Sequence, residues 1–280
     1  MKRTINTRDV FDSAVRLLYR ASFTLPDGVG EALGAMREGE TGETARMALD
    51  VIAENARIAA SDELPLCQDC GSVIFFVEIG QDVSLEGAPV RQELDRAVEE
   101  AYRRYYLRKS IVRDPLRREN TGTNAPCSVH ADIVAGSPFR LTAYLKGGGS
   151  ENMTRLAMMR PTAPVEEIIE FTVRSVIDAG PNPCPPLFLG MGIGGTADAA
   201  MLNAKKAVLR PPALPNPDPF YRDLELEIGR RLNATGVGPL GFGGTSTAAR
   251  VFIIPEATHI ATLPVALNMN CHSLRYAMEE

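Results

Sequence analysis

Residues 187–209 read LFLGMGIGGTADAAMLNAKKAVL. Three apolar residues open the stretch and glycines follow from Gly190 to Gly195. From Thr196 onward Ala, Met, Leu and Val return at spacings of three and four. A short apolar run bounded by glycine suits a buried strand, and the later spacing lays one apolar stripe along a helix. A buried strand turning directly into a helix is a building unit of mixed α/β folds, not of all-helical or all-β ones.

Working outward, short apolar runs predict further strands at Ser72 to Ile79, Phe139 to Leu145, Arg250 to Ile254 and His259 to Leu267, beside the one at Leu187 to Ile193. Helical spacing predicts helices over Val10 to Tyr19, Glu43 to Ala59, Pro89 to Tyr106, Val165 to Ala179, Thr196 to Leu209 and Phe220 to Leu232. Pro26-Asp27-Gly28 reads as a turn between the first two, and Arg210 to Pro219, with five prolines, as a stiff connector. The expectation is a single mixed α/β domain over residues 1–280, with helices packed on a mixed sheet. A helical part spans about 1–62 and a motif-bearing part about 63–275.

Thirty Lys and Arg against 35 Asp and Glu give a net charge of -5, which argues against a protein that grips phosphate backbone. Nucleic acid is not an expected partner. Lys2, Arg3, Arg8, Asp12 and Arg16 interrupt the first twenty residues, leaving no apolar stretch for an export signal. The longest uncharged stretch, Ala179 to Ala197, is broken by prolines and glycines. No membrane association and a cytoplasmic location are therefore expected. Five cysteines are too few for a dense disulfide framework and suit reduced thiols or metal thiolates.

Three glycine-rich turns stand out: Gly147-Gly148-Gly149-Ser150, Gly190 to Gly195, and Gly241-Phe242-Gly243-Gly244-Thr245-Ser246. Each lets backbone N–H groups approach an anion closely. The second satisfies G-x-G-x-x-G between a strand and a helix, so a nicotinamide-dependent oxidoreductase is one alternative. Against it, no Asp or Glu occurs from Ala199 to Pro217, where a ribose-binding acid belongs. The other reading of the motif is a tight turn for strand-to-helix packing. Cys67-Gln68-Asp69-Cys70 is a C-x-x-C without a second such pair, and His130, His259 and His272 lack the spacing of a compact zinc finger. Cys67, Cys184 and Cys271 fall at the ends of expected elements, where thiolates from distant segments can converge on an iron-sulfur cluster.

Six blocks give these residues a common setting: Pro65 to Asp69; Leu107-Arg108-Lys109-Ser110 with Asp114-Pro115 and Asn120-Thr121; Lys146 to Asn152 (KGGGSEN); Cys184-Pro185-Pro186 with Gly192 to Asp198; Gly241 to Thr247; and His259 to Cys271. In this order the chain resembles the alpha subunit, or N-terminal catalytic region, of class I (iron-sulfur) fumarate hydratases and the related tartrate dehydratases. The KGGGSEN block and the terminal LPVALNMNCH favour the fumarase branch. The resemblance implies reversible hydration of fumarate to malate, with tartrate or another 2-hydroxy dicarboxylate as the alternative. It implies a 4Fe-4S cluster on Cys67, Cys184 and Cys271, ringed by the glycine-rich loops, with one iron open as a Lewis acid. Gln68, Asp69, Arg108, Gly148 and Gly149 match substrate-contacting positions, and His259, oriented by Asp69, matches the active-site histidine. Cys70 stands where the family usually has threonine, and Cys127 has no family role. Single-chain members continue into a second domain that supplies the C–H proton base. Here the chain ends nine residues after Cys271, so the resemblance implies a separate beta chain, in an α2β2 assembly. A non-catalytic binding subunit is the remaining alternative.

Overall fold

The computed structural model describes Arg3 to Glu280; Met1 and Lys2 lie outside the described residues. The chain begins with β1 (Arg3–Asn6), α1 (Thr7–Phe23), α2 (Val29–Gly39), α3 (Glu43–Asp62), β2 (Ser72–Gly80), β3 (Val83–Glu86) and α4 (Val90–Arg104). It continues with β4 (Ser128–Val134), β5 (Phe139–Lys146), α5 (Gly148–Glu151), β6 (Arg155–Met159), α6 (Val165–Ala179) and β7 (Leu187–Gly194). The last elements are α7 (Ala197–Ala207), α8 (Pro219–Asn233), β8 (Ala248–Glu256), β9 (Leu263–Asn270) and β10 (Tyr276–Glu279). The fold is mixed α/β, as the sequence indicates. No helix among the described residues is long and apolar enough to cross a membrane.

The chain divides into two compact units. The first comprises residues up to Pro26, Ala56–Gly148 and Arg275–Glu280. Its four-stranded sheet has the order β10-β5-β2-β4, and β1 pairs separately with β3. β2 is buried from Val73 to Val77, which explains its unbroken apolar sequence: a central strand covered on both faces needs no polar alternation. Asn6 caps α1 by accepting the Arg8 N–H at 2.9 Å. One face of α1 (Ala14, Leu17, Leu18, Ala21) and one of α4 (Leu94, Ala97, Val98, Ala101) join Phe75, Val77, Leu141 and Ala143 in a single core.

The second unit comprises Asp27–Asn55 and Gly149–Leu274, with the sheet order β6-β9-β7-β8. β7 is buried along its whole length. The glycines that suggested a nucleotide loop serve packing instead: a Cβ on Gly190 or Gly192 would drive into the carbonyl oxygens of Ala204 and Ala200 on α7. Their absence of side chains lets α7 lie directly on the strand. Leu187, Leu189, Leu267, Met269, Ile168, Val176 and Ile228 form this unit's core. The five-proline connector is pinned at Asn216, whose Nδ2 donates to the Ile253 carbonyl at 3.0 Å while Glu225 takes the Ile253 N–H at 2.7 Å. Two side chains thus satisfy the Ile253 backbone on the outer edge of β8.

Two local expectations are corrected. The turn at Pro26-Asp27-Gly28 leads not to the helix at Glu43 but to α2, started by Gly28 in a left-handed conformation (φ 82°). Three glycines inside α2 weaken its helical signature, and only Val29, Ala32 and Leu33 are buried. The strand expected from His259 begins instead at Leu263, because His259 to Thr262 form a turn closed by the Thr262 N–H on the His259 carbonyl at 2.9 Å.

Candidate active site

In the first unit, antiparallel pairing sets Ser72 at the start of β2 opposite Lys146 at the end of β5. The Cys67–Gly71 loop and the turn at Gly147 and Gly148 therefore meet at one end of the sheet. Asp69 ties them together. Its Oδ1 accepts the Gly71 N–H at 3.0 Å, its Oδ2 the Gly148 N–H at 2.7 Å, and its carbonyl the Arg275 Nη1 at 2.8 Å. Gly71 (φ +80°) faces the Lys146 backbone so closely that a Cβ would lie 2.8 Å from its carbonyl group, so no other residue fits. Gln68 Oε1 accepts the Cys67 thiol at 3.6 Å. Arg108, 38 residues away, reaches the same loop through its backbone N–H, which donates to Cys70 Sγ at 3.1 Å. Cys67, Gln68, Asp69, Arg108 and Gly148 are thus gathered in one unit.

The second unit repeats the device. Phe188 near the start of β7 faces Asn270 at the end of β9. The Cys184–Pro186 segment and Cys271 accordingly share an end of that sheet, and His272 locks them: its N–H and its Nδ1 both donate to the Cys184 carbonyl, at 3.2 and 3.0 Å. Leu240 donates its N–H to Pro185 at 2.8 Å, bracing the segment from the third glycine turn. Gly149, which begins this unit, sits close to Asn182: a Cβ there would lie a tight 3.0 Å from the Asn182 carbonyl oxygen.

That third turn already holds an anion, the chain's own Glu40. Glu40 is fully buried, with the N–H groups of Thr41 and Gly42 on Oε1 at 2.9 and 3.0 Å and that of Thr245 on Oε2 at 2.8 Å. Burial pushes its pKa up, but the N–H of Gly42, the Ser246 hydroxyl and the N–H groups of Thr245 and Thr41 outweigh it. The carboxyl is held below the ordinary glutamate value.

His259 is not brought to the cysteines of its own unit. It lies exposed in the turn before β9, whereas Cys271 follows the end of that strand. Eight residues of strand separate them, about 25 Å. Its Nδ1 accepts the Ala261 N–H at 3.1 Å, which leaves the ring proton of the neutral imidazole on Nε2. Nearby, Thr258 Oγ1 donates to the Gly195 carbonyl at 2.9 Å, so the Gly192–Asp198 turn shares this far end.

The five cysteines sort by environment. Cys184 is exposed and Cys67 and Cys271 are partly exposed, whereas Cys70 and Cys127 are buried. Burial pushes the Cys70 thiol up, against the Arg108 N–H. Burial and the neighbouring Asp95, which accepts both the Cys127 N–H (2.8 Å) and thiol (3.1 Å), push Cys127 up further. A thiol kept protonated is a poor metal ligand. Cys67 in the first unit, and Cys184 and Cys271 in the second, are thus the cysteines whose sulfurs are not closed off by burial. Among the described residues no group of three or more His, Cys, Asp or Glu is gathered as a metal site.

A family model described as Fumarate hydratase (Fumerase) matches residues 11–279. The chain belongs to that family. It is a hydro-lyase of the class I fumarate hydratase family, as its motif order indicates. A Methanocaldococcus jannaschii protein provisionally named L(+)-tartrate dehydratase subunit alpha is 37% identical over 276 residues, 96% of either chain. The L(+)-tartrate dehydratase subunit alpha of Escherichia coli K12 is 30% identical over 257 residues, 91% of this chain and 84% of that one.

Sequence reading passed over His272 and Arg275. The first joins the Cys184 and Cys271 segments, and its adjacency to Cys271 is its one local signal. Arg275 is 2% exposed and holds the Asp69 carbonyl. A buried arginine just before a terminal strand has no local signature.

Proposed function

We propose that the chain is the cluster-bearing alpha subunit of an enzyme that reversibly hydrates fumarate to malate together with a separate beta chain, in an α2β2 assembly in the cytoplasm. The observation that carries this reading is the division of the cysteines by exposure: Cys67, Cys184 and Cys271 are open, and Cys70 and Cys127 are buried. Cys67, Cys184 and Cys271 would hold a 4Fe-4S cluster, which when bound supplies a Lewis-acidic iron to the substrate hydroxyl. Arg108 offers a bidentate fork to one carboxylate, and Gln68 and the Gly149 N–H offer further donors. Gly148 acts from within the turn, its own N–H held by Asp69, a carboxylate with more acceptor sites than these two N–H groups use. His259 carries its proton at Nε2 and donates it toward the water oxygen. Because a strand's length parts it from Cys271, it serves the cysteines of a second copy of the chain. The base for the C–H proton comes from the beta chain.

A second reading, dehydration of L-tartrate, is favoured by the names of the relatives. A site built to hydrogen-bond the additional hydroxyl of tartrate rejects a substrate lacking it by roughly 10,000-fold. Anaerobic co-purification with the beta chain, followed by iron analysis and parallel fumarate and tartrate assays, separates the two readings; turnover of tartrate alone overturns the first. Cys67→Ser, Cys184→Ser and Cys271→Ser should each lose iron and reduce activity by about 100-fold or more, while Cys70→Ser and Cys127→Ser keep both. Mixing inactive His259→Asn and Cys271→Ser alpha chains should restore part of the activity if the histidine crosses between copies.

A further inference from the structure

The segment that carries Arg108 has no secondary structure of its own. It leaves α4 through Tyr106, in a left-handed conformation (φ 55°), and Arg108 and Ser110 are exposed. An exposed segment of this kind is mobile unless its backbone is tied down. Two buried side chains tie it. Cys70, 3% exposed, accepts the Arg108 N–H at 3.1 Å and aims its own thiol at the Cys67 carbonyl at 3.8 Å. Asn124, fully buried, accepts the Ser110 N–H on Oδ1 at 2.6 Å and donates from Nδ2 to the Gly71 carbonyl at 3.1 Å. Tyr102, also fully buried, closes the arrangement from below by donating its hydroxyl to the carbonyls of Cys70 and Gly71 at 2.9 and 3.1 Å.

Each of the two side chains thus has one end on the Arg108 segment and the other on the Cys67–Gly71 loop. We propose that Cys70 and Asn124 form a two-point clamp that fixes Arg108 against the loop bearing Cys67, Gln68 and Asp69, and that both are positioning residues for carboxylate binding. The inference rests on the role proposed above for Arg108. It also gives Cys70 a function that is neither ligand nor redox partner: a small side chain that donates at one end and accepts at the other. Threonine has the same capability in nearly the same volume; valine has the volume without it.

The test uses Cys70→Val, Cys70→Thr and Asn124→Ala in the cluster-loaded complex with the beta chain, with amide hydrogen exchange on the alpha chain as a second readout. In the unaltered chain the Arg108 and Ser110 amides should exchange at least about tenfold more slowly than an unpaired loop amide. Cys70→Val should free the Arg108 amide and raise KM for fumarate about tenfold, the size of one lost hydrogen bond, with kcat, iron content and Tm little changed. Cys70→Thr should restore both readouts. Asn124→Ala should free Ser110 and raise KM likewise; if it does not fold, the exchange rates of the unaltered chain and the Val and Thr pair still decide. Rapid exchange at Arg108 in the unaltered chain, or a Thr variant as impaired as the Val variant, overturns the clamp. If Arg108→Met leaves KM unchanged while Cys70→Val still frees the amide, the proposed role of Arg108 fails instead, and the positioning claim with it.

Discussion

The sheets of the two units follow one plan. In each, the first and second strands are antiparallel, the second and third are antiparallel, and the third and fourth are parallel. Each unit lays down its third strand (β2 or β7), crosses through helix to the fourth (β4 or β8), and returns antiparallel as the second (β5 or β9). The entry to the third strand and the exit from the second therefore share an end in both. What differs is the chemistry placed there. The first unit has Cys67 at the entry and a glycine turn pinned by Asp69 at the exit; the second has Cys184 at the entry and Cys271 at the exit. A single backbone arrangement thus presents thiol and backbone donors in one unit and two thiols in the other.

The third strands differ as well, and this is where the comparison can be pushed hardest. β7 has glycines where α7 presses on it, whereas β2 has Val, Ile and Phe at every position from Val73 to Val77. Gly192→Ala should therefore displace α7 and destabilise the second unit by more than about 3 kcal/mol, seen as loss of soluble protein or of its cooperative urea transition. The opposite change on the other strand, Val77→Ala, leaves a cavity and should cost about 2 kcal/mol, with the protein still folded. Equal effects from the two would mean that the strands are packed alike.

Smaller effects sharpen the contrast between the two clamped carboxylates. Glu40→Gln removes a buried anion held by three N–H groups and should lower stability by about 2 kcal/mol at pH 7. Because the carboxyl of Glu40 is held below 4.5, its stabilisation is complete above that pH and fades as pH falls through the lower folded value. Urea denaturation from pH 7 to 3 should accordingly show a shallower acid loss in Glu40→Gln than in the unaltered protein. The smallest change is expected from Gly34→Ala, where a Cβ meets nothing within 4 Å and helix propensity alone acts. It should raise stability by about 0.5–1 kcal/mol, visible as a higher Tm.

The central strands were legible because burial on both faces writes an unbroken apolar run; Ser72 to Ile79 and Leu187 to Ile193 were placed almost to the residue. The edge strands β4 and β6 were not. β4 carries Ile133 and Asp132 in the open, and β6 alternates half-buried with exposed residues. The turn at His259 was hidden because Ile260, 91% exposed, continues the apolar lettering of β9. Motif order pointed to the site residues, but their grouping rests on strand pairings between residues more than seventy positions apart. No local spacing encodes the register that sets Ser72 beside Lys146. The occupation of the third glycine turn by Glu40, some two hundred residues upstream of Thr245, was equally out of reach.

The first unit draws its outer strand, β10, from Tyr276–Glu279, and its buried Arg275 from the residue before. On the ribosome, where chains emerge from the N-terminus at about 5–20 residues per second, α1, β2, α4 and β5 wait through the synthesis of some 130 further residues before that strand arrives. Until then the edge of β5 that will pair with Tyr276 to Glu279 stays open, and the Asp69 carbonyl lacks the guanidinium that anchors it. The earliest-made half of the protein is therefore completed last, and a nascent chain arrested shortly before residue 275 would be a natural client for a chaperone.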